Sequence, residues 1–194
     1  NSNTPAAGDT VSATFTNCNL NGVRGNGSLS IAINSYRGNL STSGSASLTM
    51  KFNNFTVGTD AVDGIITMGV TTSSATVRTL TLAMPNFLGT SNTDSFSFTG
   101  FSMTVSENGS SASLNMAGTI SFSRNGGSVV ISTPTTLAID SSRRVTGEIL
   151  ITGKDGTKAR IIGQRSTSIL IEADTTGNGT YDTKTVATLA SLGL

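Results

Sequence analysis

The chain has 194 residues, of which 36% are hydrophobic and 12% charged, with a net charge of +1. That length suits one all-β domain or two small ones, the apolar share excludes a disordered chain, and the near-neutral balance supplies no basic surface for nucleic acid. With 0 histidines, 0 tryptophans, 2 tyrosines and the single cysteine Cys18, the chain lacks the commonest general base, any Ser-His or Cys-His pair, any internal disulfide and the stacking aromatics of a sugar-cleaving site.

The opening N-S-N-T-P-A-A-G-D-T reads as a flexible tail over residues 1–8. Its polarity suggests a mature terminus from which an export signal has been removed, as in a lipid-anchored precursor cut after its anchoring cysteine. Strands are expected over residues 10–20 and 27–35, a loop over Arg37 to Ser45, and strands over 46–57 and 63–72 joined through Asp63-Gly64. Val77 to Phe87 follows, with Pro85 marking an edge or a place where the ladder is already broken. Glu107-Asn108-Gly109 separates strands over Phe96 to Ser106 and Ser111 to Ser123, and Asn125-Gly126 leads into Val129 to Ser132. Thr133-Pro134 reads as a crossover to Leu137 to Ile139. Together residues 9–140 form a repeated β-strand region. Residues 141–194 form a hairpin region continuous with the same sheet, with strands over Glu148 to Thr152, Thr157 to Ile162, Ser168 to Ala173 and Tyr181 to Leu189.

The repeat is a bent strand. In Leu48 to Val70, Leu48, Met50 and Phe52 alternate with polar residues, but Phe55 and Val57 have the opposite parity. Keeping all five on one side requires one extra residue, a β-bulge at Asn53-Asn54. Phe15-Thr-Asn-Cys18, Met84-Pro-Asn-Phe87 and Phe98-Thr-Gly-Phe101 repeat the switch, and Gly27 and Gly64 each open a second strand at the same spacing. Cys18 takes the place of Phe55, as a small buried apolar residue. The predicted fold is therefore all-β: a curved antiparallel meander of bulged strands, as a partly open barrel or a sandwich. The alternative is a β-solenoid, which the unequal repeat lengths disfavour.

Two features of the last third bear on chemistry. Lys158 and Arg160 alternate with Ala159 and Ile161, which reads either as a basic face for an anionic polysaccharide or lipid headgroup or as charges guarding an edge. Asp174 to Asp182 approaches the pattern D-x-[DN]-x-[DN]-G of calcium loops, with Asp174, Asn178 and Asp182 as side-chain ligands and Thr180 contributing its carbonyl. Thr176 and Thr185 stand where further carboxylates or amides belong, which limits such a site to weak calcium binding.

The hairpin I-T-G-K-D-G-T-K-A-R-I, the loop D-T-T-G-N-G-T-Y-D and the earlier F-x-N repeats resemble exported β-rich proteins and lipoproteins of Gram-negative bacteria that have no assigned activity. The resemblance implies a periplasmic or cell-surface location and no reaction. No apolar run is long enough for a membrane helix. The only carboxylate pairs open to catalysis are Asp60 with Asp63 and Glu172 with Asp182, both in turn-like segments. The expected function is a non-catalytic structural, adhesive or binding module with a polysaccharide, lipid or protein partner. The alternative is a carrier of an apolar ligand such as an acyl chain, held by Met50, Phe52, Phe55, Met84, Phe96, Phe98, Phe101 and Met103.

Overall fold

A computed structural model describes residues 6–20, 22–124 and 126–192, with the side chains of Leu20 and Leu192 excepted. Twelve strands follow one another: β1 (Thr10–Leu20), β2 (Val23–Asn39), β3 (Ser43–Val57), β4 (Asp60–Ser74), β5 (Val77–Ser91), β6 (Asp94–Asn108), β7 (Ser111–Phe122), β8 (Gly127–Ile139), β9 (Val145–Thr152), β10 (Lys158–Gly163), β11 (Ser168–Asp174) and β12 (Thr183–Thr188). They form a single antiparallel sheet whose spatial order is the chain order, and it does not close into a barrel. The solenoid alternative is thereby overturned, because a solenoid pairs its strands in parallel between coils. Among the described residues no helix is long and apolar enough to cross a membrane.

All four expected bulges are present. Between β1 and β2 the pairing steps from Phe15↔Gly27 to Cys18↔Gly25, and between β3 and β4 from Phe52↔Gly64 to Phe55↔Val62, three residues against two in each case. β5 carries its extra residue between Ala83 and Phe87 against β4, and β6 between Thr99 and Ser102 against β7. The β5 and β6 bulges face each other, so the register between those strands never shifts. Asn17 and Asn54 hold φ of 56° and 43° and Gly100 holds 58°. This is the left-handed region that Asn and Gly tolerate best, which is why these residue types precede the second apolar residue in the β1, β3 and β6 bulges; Asn86 of the β5 bulge does not adopt it. Pro85 lies inside the β5 bulge of an interior strand, where its missing N–H interrupts no ladder.

Several boundaries differ from the sequence expectation. Gly27 and Gly64 do not open strands; they sit four residues inside β2 and β4, and the β3–β4 turn is at Gly58-Thr59. The segment Arg37 to Ser45 is mostly paired, Arg37↔Ser45, Gly38↔Gly44 and Asn39↔Ser43, leaving a turn at 40–42. Its Ser and Gly composition reads as a loop, yet its backbone continues the β2–β3 ladder to the turn. Thr133-Pro134 is no crossover, because β8 runs straight through. Leu114 to Gly118 of β7 spans four steps where Leu137 to Ile131 of β8 spans six. The hydroxyl of Thr133 donates to the Met116 carbonyl (2.9 Å) and accepts from its amide (2.8 Å), standing in for the ladder bonds that the bulged backbone gives up. Asn125 of the expected Asn-Gly turn lies outside the described residues, as do residues 1–5 of the expected tail. Gly8 donates its amide to the Ile33 carbonyl at 2.8 Å and so joins the edge of the sheet.

The tightest packing is near the C-terminal end. Val145, Ile169 and Leu189 are buried there against Leu137, Ile139, Ile161, Ile171 and Ala187.

A candidate interaction surface

The registers carry parity from strand to strand and sort the side chains of the whole sheet onto two faces. Phe52 of β3 lies opposite Leu29 of β2 and Gly64 of β4; Gly64 lies opposite Phe87, and Phe87 opposite Phe98, which pairs with Ile120. A second row runs Leu48↔Met68↔Leu82↔Met103↔Met116 on the same face. The opposite face of β3 to β7 carries mainly Ser, Thr and Asn, with Lys51 and Asp63. The result is a sheet with one apolar and one polar face.

The bulges make the apolar face continuous. Without the extra residue, Phe55, Phe87 and Phe101 would turn to the polar side. With it, Phe52 and Phe55 lie with ring centroids 6.2 Å apart and Phe98 and Phe101 5.3 Å apart, each pair on one face as the repeat requires. The rings form a chain from β1 to β6, contributed by the four strands β1, β3, β5 and β6. Phe15 meets Phe55 at 5.4 Å, Phe52 meets Phe87 edge-on at 6.1 Å over Gly64, and Phe87 meets both Phe96 and Phe98. Gly64, at φ 122°, leaves room for the Asn86 carbonyl of the adjoining bulge, and Gly27 does the same for that of Asn54. Bulge and glycine therefore alternate from strand to strand along one line from β1 to β5.

Each of the first two bulges frees an amide, and a side chain from the next strand accepts it. Asn17 donates its amide to the Asn26 side-chain oxygen (2.7 Å), and Asn54 donates its amide to the Asp63 carboxylate (2.9 Å). Asn26 and Asp63 are equivalent positions, each just before the repeat glycine. The sequence carried this signal, a hydrogen-bond acceptor before Gly at the same spacing, and reading Asp63 as a candidate acid missed it. Asp60, on the apolar side of the strand end, accepts from the Ser91 hydroxyl at 2.7 Å, so Asp60 and Asp63 point to different faces and form no catalytic pair.

Among the described residues no second layer covers the apolar face. Its side chains are mostly half-buried by their neighbours in the sheet, and Phe96, Leu80 and Phe122 remain 40%, 44% and 47% exposed. The accessible surface is 11459 Å². A compact monomer of 19.7 kDa has roughly 8,600 Å². The difference, about 2,900 Å², is the additional surface of a chain folded as a single layer.

Of the eight residues expected to hold an apolar ligand, only Phe52 and Phe98 border any of the five clefts described, one of about 420 Å³. Lys51, Asn53, Asp63, Ile65, Leu88, Ser97 and Thr99 border it too, with parity opposite to the phenylalanines, so it opens on the polar face and the Phe backbone forms its floor. Met50, Phe55, Met84, Phe96, Phe101 and Met103 share the apolar face, packed into a surface and not around a cavity.

Arg160, Glu172 and Lys184 of the C-terminal hairpins engage one another. On the polar face Arg160 donates from Nε and Nη2 to Glu172 Oε2 at 2.7 and 2.6 Å, Lys184 approaches Oε1 at 2.9 Å, and the guanidinium lies 4.1 Å from the Tyr181 ring centre. Glu172 is 2% exposed, and the hydrogen bonds from Lys184 and Arg160 hold its carboxyl below the ordinary range. Of the expected basic face, Arg160 is thus neutralised and Lys158 alone stands exposed.

Asp174 is 1% exposed. Its Oδ1 accepts from the amides of Gly177 (2.8 Å) and Thr176 (3.2 Å) and from the Thr176 hydroxyl, and Oδ2 accepts from the Gly179 amide (2.8 Å). Burial pushes this carboxyl up, and the amides of Gly179, Gly177 and Thr176 outweigh it and hold the group down. Asn178 accepts from the Thr180 amide at 2.7 Å, while Asp182 is exposed, 3.5 Å from the Thr176 hydroxyl. The loop is closed by its own donors around Asp174. Among the described residues no group of three or more His, Cys, Asp or Glu converges as a metal site would require.

Compared with known proteins, the chain matches no family model, no curated protein and no solved structure.

Proposed function

We propose that this protein is a non-catalytic module of the periplasm or cell surface whose apolar sheet face is its binding surface. The observation that carries the reading is the area excess: a folded chain that leaves about 2,900 Å² more surface open than a compact monomer has a face meant to be covered. The acidic side chains support the non-catalytic part, since Asp63, Glu172 and Asp174 are engaged in holding bulges, strands and a turn. Export is supported by the low charge, the Ser/Thr/Asn surface and the resemblance drawn above. A carrier of an acyl chain would draw on the same face, but small apolar ligands are held in concave pockets, and the clefts described here lie on the polar side. Broad contact with a partner suits a continuous packed surface better.

Native mass spectrometry of gently purified protein tests this reading. The expected spectrum shows the chain in association, and Leu80→Ser with Phe122→Ser removes the association while far-UV circular dichroism stays unchanged. A bare monomer that also fails to enhance the fluorescence of an apolar dye would overturn it.

A further inference from the structure

We infer that the occupant of the apolar face is a second copy of this chain, packed face to face across a two-fold axis. The inference rests on the reading of that face as a binding surface and names its partner. The open area is the first argument. A permanent homodimer buries on the order of 2,000 to 5,000 Å² in total, and an excess of about 2,900 Å² on each chain supplies that range.

Charge is the second argument. Across β3 to β7 the apolar face carries no charged side chain except at the strand ends, with Asp60 and Asp94 at one end and Arg78 and Glu107 at the other. An apolar centre with a charged rim is the composition of a homodimer interface. A two-fold axis brings the same patch onto itself, so no second complementary surface is required. Two twisted sheets pack in this way about 10 Å apart with their strands at about −30°, as in a sandwich. Met50, Met68, Met84, Met103 and Met116 all lie on this face, and their unbranched side chains adapt to the facing layer.

The bilayer fits less well. β1 and β12 are unpaired edges, and open edges are not tolerated in hydrocarbon. β9 to β12 have 8, 6, 7 and 6 residues, short of the ~9 to 11 that a spanning strand needs.

The test is sedimentation velocity of the full chain from about 1 to about 100 µM, paired with native mass spectrometry. The expected species has twice the 19.7 kDa monomer mass. Leu80→Ser with Phe122→Ser, at positions already 44% and 47% exposed, weakens dimerisation about 100-fold with unchanged circular dichroism. Lys51→Ser on the polar face leaves the dimer intact. A monomer carrying a lipid-sized adduct or a different protein overturns the second copy while the binding face stands. A bare monomer, silent to an apolar dye, overturns both.

Discussion

Asp63 shows how much one carboxylate does in a bent strand. The bulge turns the Asn54 amide away from the ladder, and the Asp63 oxygen 2.9 Å away receives it. Asp63→Ala leaves that amide to water at an exposed site, and a loss of about 1 to 2 kcal/mol in urea unfolding is expected. Asp63→Asn, which copies Asn26 in the first repeat, should recover most of it. Glu172 and Asp174 act at a second level. Both carboxyls lie below their ordinary values in the folded chain, so at acid pH the unfolded chain takes up protons first. Their contribution is complete at neutral pH and is lost as pH falls below about 4. Urea midpoints measured from pH 7 to pH 3 should drop in that window, and the drop should shrink in Glu172→Gln. Because the donors around Asp174 come from the protein, calcium or a chelator should leave the melting temperature unchanged.

Among the elements, β4 is tightly constrained, because Gly64 holds φ 122° against the Asn86 bulge with the Phe52 and Phe87 rings meeting above it. Gly64→Ala puts a methyl into that carbonyl and strains the backbone, and a cost of about 1 to 3 kcal/mol is expected in thermal or urea unfolding. Phe101→Ala, at the buried member of the ring chain, should cost about 3 to 5 kcal/mol. The phenylalanine positions were legible in the sequence, since keeping Phe52 and Phe55 on one face across a parity switch takes an added residue, whereas Gly64 reads there as the start of a strand. The strand ends were less so. Ser, Gly and Asn in Arg37 to Ser45 carry no apolar signal, and small polar side chains suit a polar sheet face as well as they suit a loop. Thr133-Pro134 misled for a different reason: the hydroxyl that restores the ladder to Met116 cannot be anticipated without the register.

At the scale of the whole molecule, alternation establishes that one face is apolar and is silent on what lies against it. The sequence pattern alone therefore does not decide between a filled core, the commoner use of such residues, and an open surface, and the accessible area of 11459 Å² separates them. The acid and calcium readings of the sequence had the same weakness. Asp60, Asp63 and Asp174 are near other polar groups along the chain, but their oxygens face a hydroxyl, a bulge amide and a ring of loop amides.

The chain order of the strands has a further consequence, for the order of assembly. Every strand bonds only to the hairpin partner before and after it, so each new hairpin can dock as soon as it is synthesised, without waiting for a distant segment. The best-buried cluster, however, sits on Val145, Ile169 and Leu189. The last part made is thus the part that locks the sheet. Amide hydrogen exchange should be slowest in β9 to β11 and fastest in β1, a gradient running opposite to the direction of synthesis.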